Sequence, residues 1–221
     1  MLPATDPFGY TGAMTEDALN TKIVLTALEL QGVAVSTIKA VIGDVRYQYL
    51  SGPITGGRRL LDWHDAVGRG LPQADYKDAK ERGVVLENIA AVQAAAQHER
   101  AADRNTIEPG SFEANFDHWG QDDFLRFWEE VIANHSSHVR FMEGWQFSSG
   151  CAVELLCARK HDRPTYEMNG QILTNVKALA LLDEALAEIG GRYDPANVSD
   201  GEIAKLHDKI SRSRAAVAAL G

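Results

Sequence analysis

The chain has 221 residues, 45% hydrophobic and 24% charged, enough for one α/β domain with additions or for two small domains. Its 22 basic residues against 31 acidic ones give a formal charge of −9, which argues against sequence-independent binding to a nucleic-acid polymer, where neutralised phosphates supply the affinity. No apolar run approaches the roughly 18 residues of a membrane span, and the first ten residues lack the basic and apolar regions of a secretory signal, so a cytoplasmic protein with no membrane contact is expected.

Met1 to Met14 has no periodicity and reads as an arm. Leu19, Ile23, Ala27 and Leu30 recur at helical spacing, with Gly32 as a stop, and a second short helix is predicted from Ser36 to Ile42. Residues 1–44 are thus an addition ahead of the first strand. Val45 to Leu50 is rich in β-formers and runs into Ser51-Gly-Pro-Ile-Thr-Gly-Gly-Arg58, a glycine-rich loop that fits neither a Walker A nor a GxGxxG pattern. Its glycines let backbone approach a ligand, and Ser51, Thr55, Arg58 and Arg59 are donors suited to phosphate or sugar hydroxyls.

Leu60 to Lys80 reads as a long excursion over a site, with Trp63 and His64 able either to close over a base or simply to pack. Val84 to Ala102 is a predicted helix and Asn105 to Ile107 a short strand, which makes a strand–helix–strand unit with parallel strands. Ser111 to Trp119 is an aromatic and polar loop. Gln121 to Ala133, with Phe124, Phe127, Trp128 and Val131 on one face, reads as a core helix. His135 and His138 lack a partner at metal-ligand spacing, so no metal site and no cofactor are read. Val139 to Met142 is the next strand.

The stretch from Gly144 to Glu154 then passes from strand to helix through a Gly/Ser turn, which gathers backbone N–H groups as an anion site would. Glu154 is expected in the first helical turn, where it serves either the helix dipole or chemistry as a nucleophile or base. Cys151 and Cys157 on that helix read as buried thiols rather than a disulfide. A last strand is predicted at Arg163 to Met168 and a helix at Asn175 to Ile189. Ile203, Leu206, Ile210, Val217 and Leu220, with Ser213 between them, form a stripe that should pack on this chain or on a second copy. Residues 45–170 are the predicted α/β domain and 171–221 a helical extension.

Tyr49-Leu-Ser-Gly-Pro-Ile-Thr-Gly56 and Gly144-Trp-Gln-Phe-Ser-Ser-Gly-Cys-Ala-Val-Glu154 resemble the two signatures of the nucleoside 2-deoxyribosyltransferase-like superfamily. The closest likeness is to an uncharacterised bacterial and phage branch with "SGPITG" and "GW-x-x-S-x-G-x-x-x-E" motifs. Asn88 and Ile107-Glu-Pro109 also fall where that branch has an Asn and an "NP" turn; the likeness spans roughly Arg46 to Met168. It implies a flavodoxin-like or Rossmann-like parallel sheet with helices on both faces. It also implies chemistry at an N-glycosidic bond, with Glu154 as the nucleophile that forms a glycosyl-enzyme.

By the same resemblance, Ser51, Gly52, Ile54, Gly56, Gly57 and Arg58 of the first signature, and Trp145, Ser148, Ser149 and Gly150 of the second, bind the substrate's phosphate, sugar or base. The substrate class is a nucleoside or nucleoside 5′-monophosphate, and the family's habit of sharing sites between subunits makes a homodimer the expected assembly. Where the transferases proper carry an acidic residue before the nucleophile, this chain offers only Glu143. An NAD-cleaving hydrolase and a non-catalytic nucleotide-binding module are the other expectations. Trp63, His64, Asn115, Asp117 and His118 are proton-donor candidates by loop position alone.

Overall fold

The computed structural model describes residues 27–42, 45–113, 119–194 and 200–220. Four strands form one sheet: β1 (Tyr47–Ser51), β2 (Thr106–Ile107), β3 (Ser136–Phe141) and β4 (Thr165–Glu167). They lie in the order β2-β1-β3-β4, and every pairing is parallel. This is the flavodoxin-like order. Around the sheet run α1 (Ala27–Ile42), α2 (Arg58–Ala66), α3 (Gln73–Lys80), α4 (Leu86–Ala101) and α5 (Gly110–Glu113). They are followed by α6 (Gln121–His135), α7 (Ser149–Lys160), α8 (Asn175–Arg192) and α9 (Gly201–Ala218). No helix among the described residues is long and apolar enough to cross a membrane.

The chain leaves β1 in one direction to reach β2, then returns across β1 to β3 and on to β4. Right-handed crossovers in opposite directions place their helices on opposite faces. The contacts follow that rule: Tyr49 and Ser51 of β1 bond to Glu154 on α7, while Gln48, the residue before Tyr49, points to the other face and bonds to Glu99 on α4. Tyr49 and Leu50 are both fully buried, as a central parallel strand covered on both faces requires. On the α7 face, Tyr49, Val139 and Phe141 join Phe127 and Trp128 of α6 and Leu155 of α7 in the main core. On the α4 face a smaller cluster holds Ile54, Val85, Ile89 and Val92, with Met142 against it.

Two expectations change. Gly32 does not stop a helix, for α1 runs through it as a single helix. A glycine in a helix interior costs about 1 kcal/mol, and the packing of Ala34 and Val35 on the main core offsets that. The expected start of that helix and the arm before it lie outside the described residues. Leu60 to Lys80 is not a loop but α2, a 3₁₀ turn (Gly68–Gly70) and α3, and a π-helical turn (Glu81–Val85) carries α3 on into α4. Its mixed composition hides a narrow stripe, Leu60, Leu61 and His64, which is the buried side of α2.

The C-terminal stripe takes one of its two expected partners, this chain. Ile203, Leu206, Ile210 and Val217 belong to the same core as the sheet residues, and Ser213 is buried with them; only Leu220 stays exposed. The stripe is therefore covered by this chain, and it supplies no apolar face for a second copy. α9 is a structural part of the α/β unit. Ile210→Ala should accordingly destabilise the whole fold by about 2–5 kcal/mol, the range for a buried aliphatic truncation, measured as a shift of a single urea transition. A separate early transition confined to the C-terminal helices would show instead that α8 and α9 unfold on their own.

Candidate active site

Adjacent strands of an open parallel sheet part where the chain reverses direction, and ligands bind beyond the strand ends at that point. Here the reversal lies between β1 and β3. The loop after β1 and the turn after β3 meet there and are joined by hydrogen bonds: the Met142 amide donates to the Ser51 carbonyl at 2.9 Å and the Gly57 amide to the Phe147 carbonyl at 3.0 Å. The β1 loop is held from below by Asn88 of α4, whose side-chain amide donates to the carbonyls of Ile54 and Gly56, each at 2.9 Å.

Glu154 projects from α7 into this junction. Its two carboxylate oxygens accept from Tyr49 Oη at 2.6 Å and Ser51 Oγ at 2.5 Å. Period-two alternation puts both hydroxyls on one face of β1, and the parallel β3-to-α7 connection brings the acid over them. The helix begins at Ser149, with Ser148 as its cap accepting from the Cys151 amide, so Glu154 stands in the second turn and not the first. Dipole stabilisation fades within the first turn. The dipole reading therefore loses its main support, and the carboxyl group is oriented by β1.

Burial pushes the Glu154 carboxyl up to about 7, against the opposing effect of the Ser51 and Tyr49 hydrogen bonds. No cation bonds to it among the described residues. A second buried acid shows the contrast. Glu99, on the other face of the sheet, is also pushed upward by burial, but bonds from Arg104, Gln48 and Arg140 outweigh this and hold it at about 2. One buried carboxyl group is neutralised by cations, and the other is left to titrate near neutrality.

Glu154 opens on a cavity of about 1020 Å³. Near the acid it is lined by Gly52, Ile54, Gly56, Ser148, Ser149 and Gly150, all expected from the sequence. One side is aromatic, with Trp119, Phe124 and Trp128. The Trp128 indole N–H is buried and has no acceptor among the described residues. The far wall comes from α3 and α9, with Tyr76, Lys80, Glu202, Lys205 and Arg212.

Four expected ligand residues stand elsewhere. Ser51 is fully buried behind the carboxylate and acts on Glu154, outside the cavity lining. Gly57 is needed by the backbone, since it has φ +84° and a Cβ there would lie 2.6 Å from Pro53 Cβ. Arg58 bonds through both guanidinium nitrogens to Glu188 of α8 and lies over the Phe147 ring at 4.2 Å, away from the cavity. Trp145 packs on Phe141 in the core. The other donor proposed in that loop, Arg59, bonds to Asn88.

Of the expected proton donors, His64 is fully buried between Tyr76 and Asp200, and neither it nor Trp63 lines the cavity. Asn115, Asp117 and His118 lie outside the described residues, and Glu143 is exposed. Tyr49 was not singled out, although its position two residues before Ser51 on one strand face was the available signal. No protein-family model, no curated protein and no solved structure matches this chain.

The site makes a prediction about stability. The Glu154 carboxyl titrates at about 7 in the folded chain against 4.5 as its ordinary value, so the fold binds an extra proton between those values. That contribution is fully present below pH 4.5 and is lost as the pH rises through 7. Glu154→Gln removes the charging cost. The variant should be more stable than the parent at pH 8, by something on the order of 1–3 kcal/mol, and the difference should shrink at pH 5. Parallel urea melts at the two pH values measure this; a variant less stable than the parent at pH 8 would contradict it.

Proposed function

We propose that this chain breaks the N-glycosidic bond of a nucleoside or nucleoside 5′-monophosphate, with Glu154 as the nucleophile, and belongs to the nucleoside 2-deoxyribosyltransferase-like superfamily. The observation that carries the reading is the buried carboxyl group at the strand switch point, held by two hydroxyls without a cation and open to a large cavity. Such a group serves no packing purpose that a neutral residue would not serve better. Stability given up at one place in a fold is characteristic of functional sites.

In this mechanism the bond from the base nitrogen to the anomeric carbon breaks with its electron pair leaving on the base, which takes up a proton. The sugar develops oxocarbenium character, and the Glu154 carboxylate stabilises it and then closes on the anomeric carbon as an ester. Water or a second base attacks the same carbon, the ester oxygen leaves, and Glu154 is restored with the original anomeric configuration. Tyr49 and Ser51 hold both oxygens in place through these steps. The first-turn amides of Ser149 and Gly150 have no intrahelical acceptor and suit a sugar hydroxyl or phosphate. Trp119 and Phe124 offer faces for the base, and a base or sugar acceptor would satisfy the Trp128 N–H, whose burial without a partner costs about 1–3 kcal/mol. The reaction is assigned to the cytoplasm, where the buried thiols Cys151 and Cys157 stay reduced.

A second reading is favoured by the length of the cavity. About 1020 Å³ is at the upper end for a small-molecule site, and its far wall carries Lys205 and Arg212. A dinucleotide such as NAD would place its second half there.

The proposal is tested by incubating the protein with nucleosides, their 5′-monophosphates and NAD, and identifying freed base by mass spectrometry. Release from one substrate class by the parent, lost in Glu154→Gln, is the expected result. Unchanged release by the variant would rule out the nucleophile, and saturable nucleotide binding without release would make the chain a binding module.

The attacking form is the carboxylate, so the rate should rise with pH through an inflection near 7. Tyr49→Phe deletes a hydrogen bond that favours ionisation and should move that inflection upward by about one pH unit, with a loss of roughly fivefold at pH 7. A pH–rate profile for both proteins checks the sign; a downward shift would contradict the assignment.

A further inference from the structure

α7 carries chemistry at both ends. Glu154 lies toward its start. Cys157 and His161, four residues apart at its other end, lie on one face, and α6 presents Glu129 to them. One ligand atom from each of the three residues lies within 4.8 Å of the others, and His161 Nε2 is 4.0 Å from Glu129 Oε1. The Cys157 thiol points at α6, donating to the Glu129 backbone carbonyl at 3.6 Å. The third member comes from a different helix, so no local spacing in the sequence marks the cluster.

We propose that Glu129, Cys157 and His161 form a zinc site that ties α6 to the end of α7. Sulfur, imidazole nitrogen and a carboxylate are the ligands that Zn²⁺ takes, and three protein ligands with water in a fourth position is a common arrangement. In a tetrahedral site with Zn–S about 2.3 Å and Zn–N or Zn–O about 2.0 Å, ligand atoms stand about 3.3–3.5 Å apart. The cluster therefore has to contract by roughly 1 Å, within the reach of side-chain rotation because two of the three ligands are partly exposed: His161 is 33% exposed and Glu129 45%. The same exposure leaves the fourth position to water.

Lys160 now neutralises Glu129, with Nζ 3.1 Å from Oε1, and at 62% exposure it is free to swing out when a divalent cation takes its place. On binding, the Cys157 S–H bond breaks, its proton goes to solvent and the sulfur pair forms the bond to zinc, so one proton is released for each metal bound. The site is 3 to 7 residues along α7 from Glu154, on the same helix. Its effect is to fix that helix against α6, and it takes no part in bond breaking at the sugar.

The full chain, reduced with a phosphine and freed of metal, would be titrated with Co²⁺ while the absorption spectrum and proton release are followed. One equivalent should give a thiolate-to-cobalt charge-transfer band, lost again when Zn²⁺ is added. Cys157→Ser should abolish the band and Cys151→Ser should leave it. His161→Ala, at the solvent-facing end of the cluster, should weaken Co²⁺ binding by at least about tenfold without altering the far-ultraviolet circular dichroism. No band at any Co²⁺ concentration, or a band that survives Cys157→Ser, would overturn the site. These readouts do not depend on base release, so the zinc site and the glycosidic reaction stand or fall separately.

Discussion

A carboxyl group taken out of water without a cation is the constraint on which the rest of this structure turns. Glu154 and Glu99 sit on opposite faces of the same sheet, both buried, and burial pushes both upward. Arg104 and Arg140 settle the matter at Glu99, which is an anion that pins α4 to the strands. At Glu154 the compensation among the described residues is two hydroxyl donors, each of which stabilises the anion and also tolerates the neutral acid. Burial raises both, and the bonds from Arg104, Gln48 and Arg140 reverse its direction at Glu99 alone. The fold thus surrounds one carboxylate with arginines and leaves the other with hydroxyls, free to titrate near neutrality.

What keeps such a group in place is backbone. The loop after β1 and the turn after β3 are bonded to one another through Gly57 and Phe147, and Asn88 clamps the first loop by two of its carbonyls. The glycines divide into different duties within that unit. A Cβ at Gly52 would stand 2.6 Å from Met142 Sδ and from Val92, so this residue is fixed by packing on α4. Gly56, by contrast, would admit a Cβ at ordinary contact distances and faces the cavity, so the protein itself does not demand glycine there. The polar wall beside Glu154 is therefore rigid before any ligand arrives, which is the condition for electrostatic preorganisation.

The parts that could be read from the sequence were those with local causes. The β-formers of Val45 to Leu50, the Gly/Ser turn before α7 and the apolar faces of α4 and α6 each announce themselves within a dozen residues, and the parallel sheet follows from their order. The sequence allows Glu154 to serve either the helix dipole or chemistry, and the helix start at Ser149 puts it in the second turn, where the dipole effect fades. The misplaced residues have distant causes. Arg58 looked like a phosphate ligand because Glu188, which takes both its nitrogens, lies 130 residues further along. Trp63 and His64 looked available because the helical stripe that buries His64 is only three residues wide. Local sequence describes what a side chain can do, and long-range packing decides which partner uses it.

The same separation explains why the C-terminal helix belongs to the site. Asp200, just before α9, is buried and accepts from Arg69 while bonding to His64 Nε2; His64 Nδ1 in turn meets Tyr76 Oη at 3.1 Å. Lys80 bonds to Glu202 one residue into α9. These contacts join the start of α9 to α2 and α3, and its buried stripe joins the remainder to the main core. The last helix thus packs directly on the helix that carries Glu154, and residues of both line the cavity. The extent of the cavity therefore depends on where α9 is held, by polar contacts remote from Glu154. A parallel sheet supplies the switch point and the acid, but the extent of the pocket beyond them is a property of the helices added after the last strand.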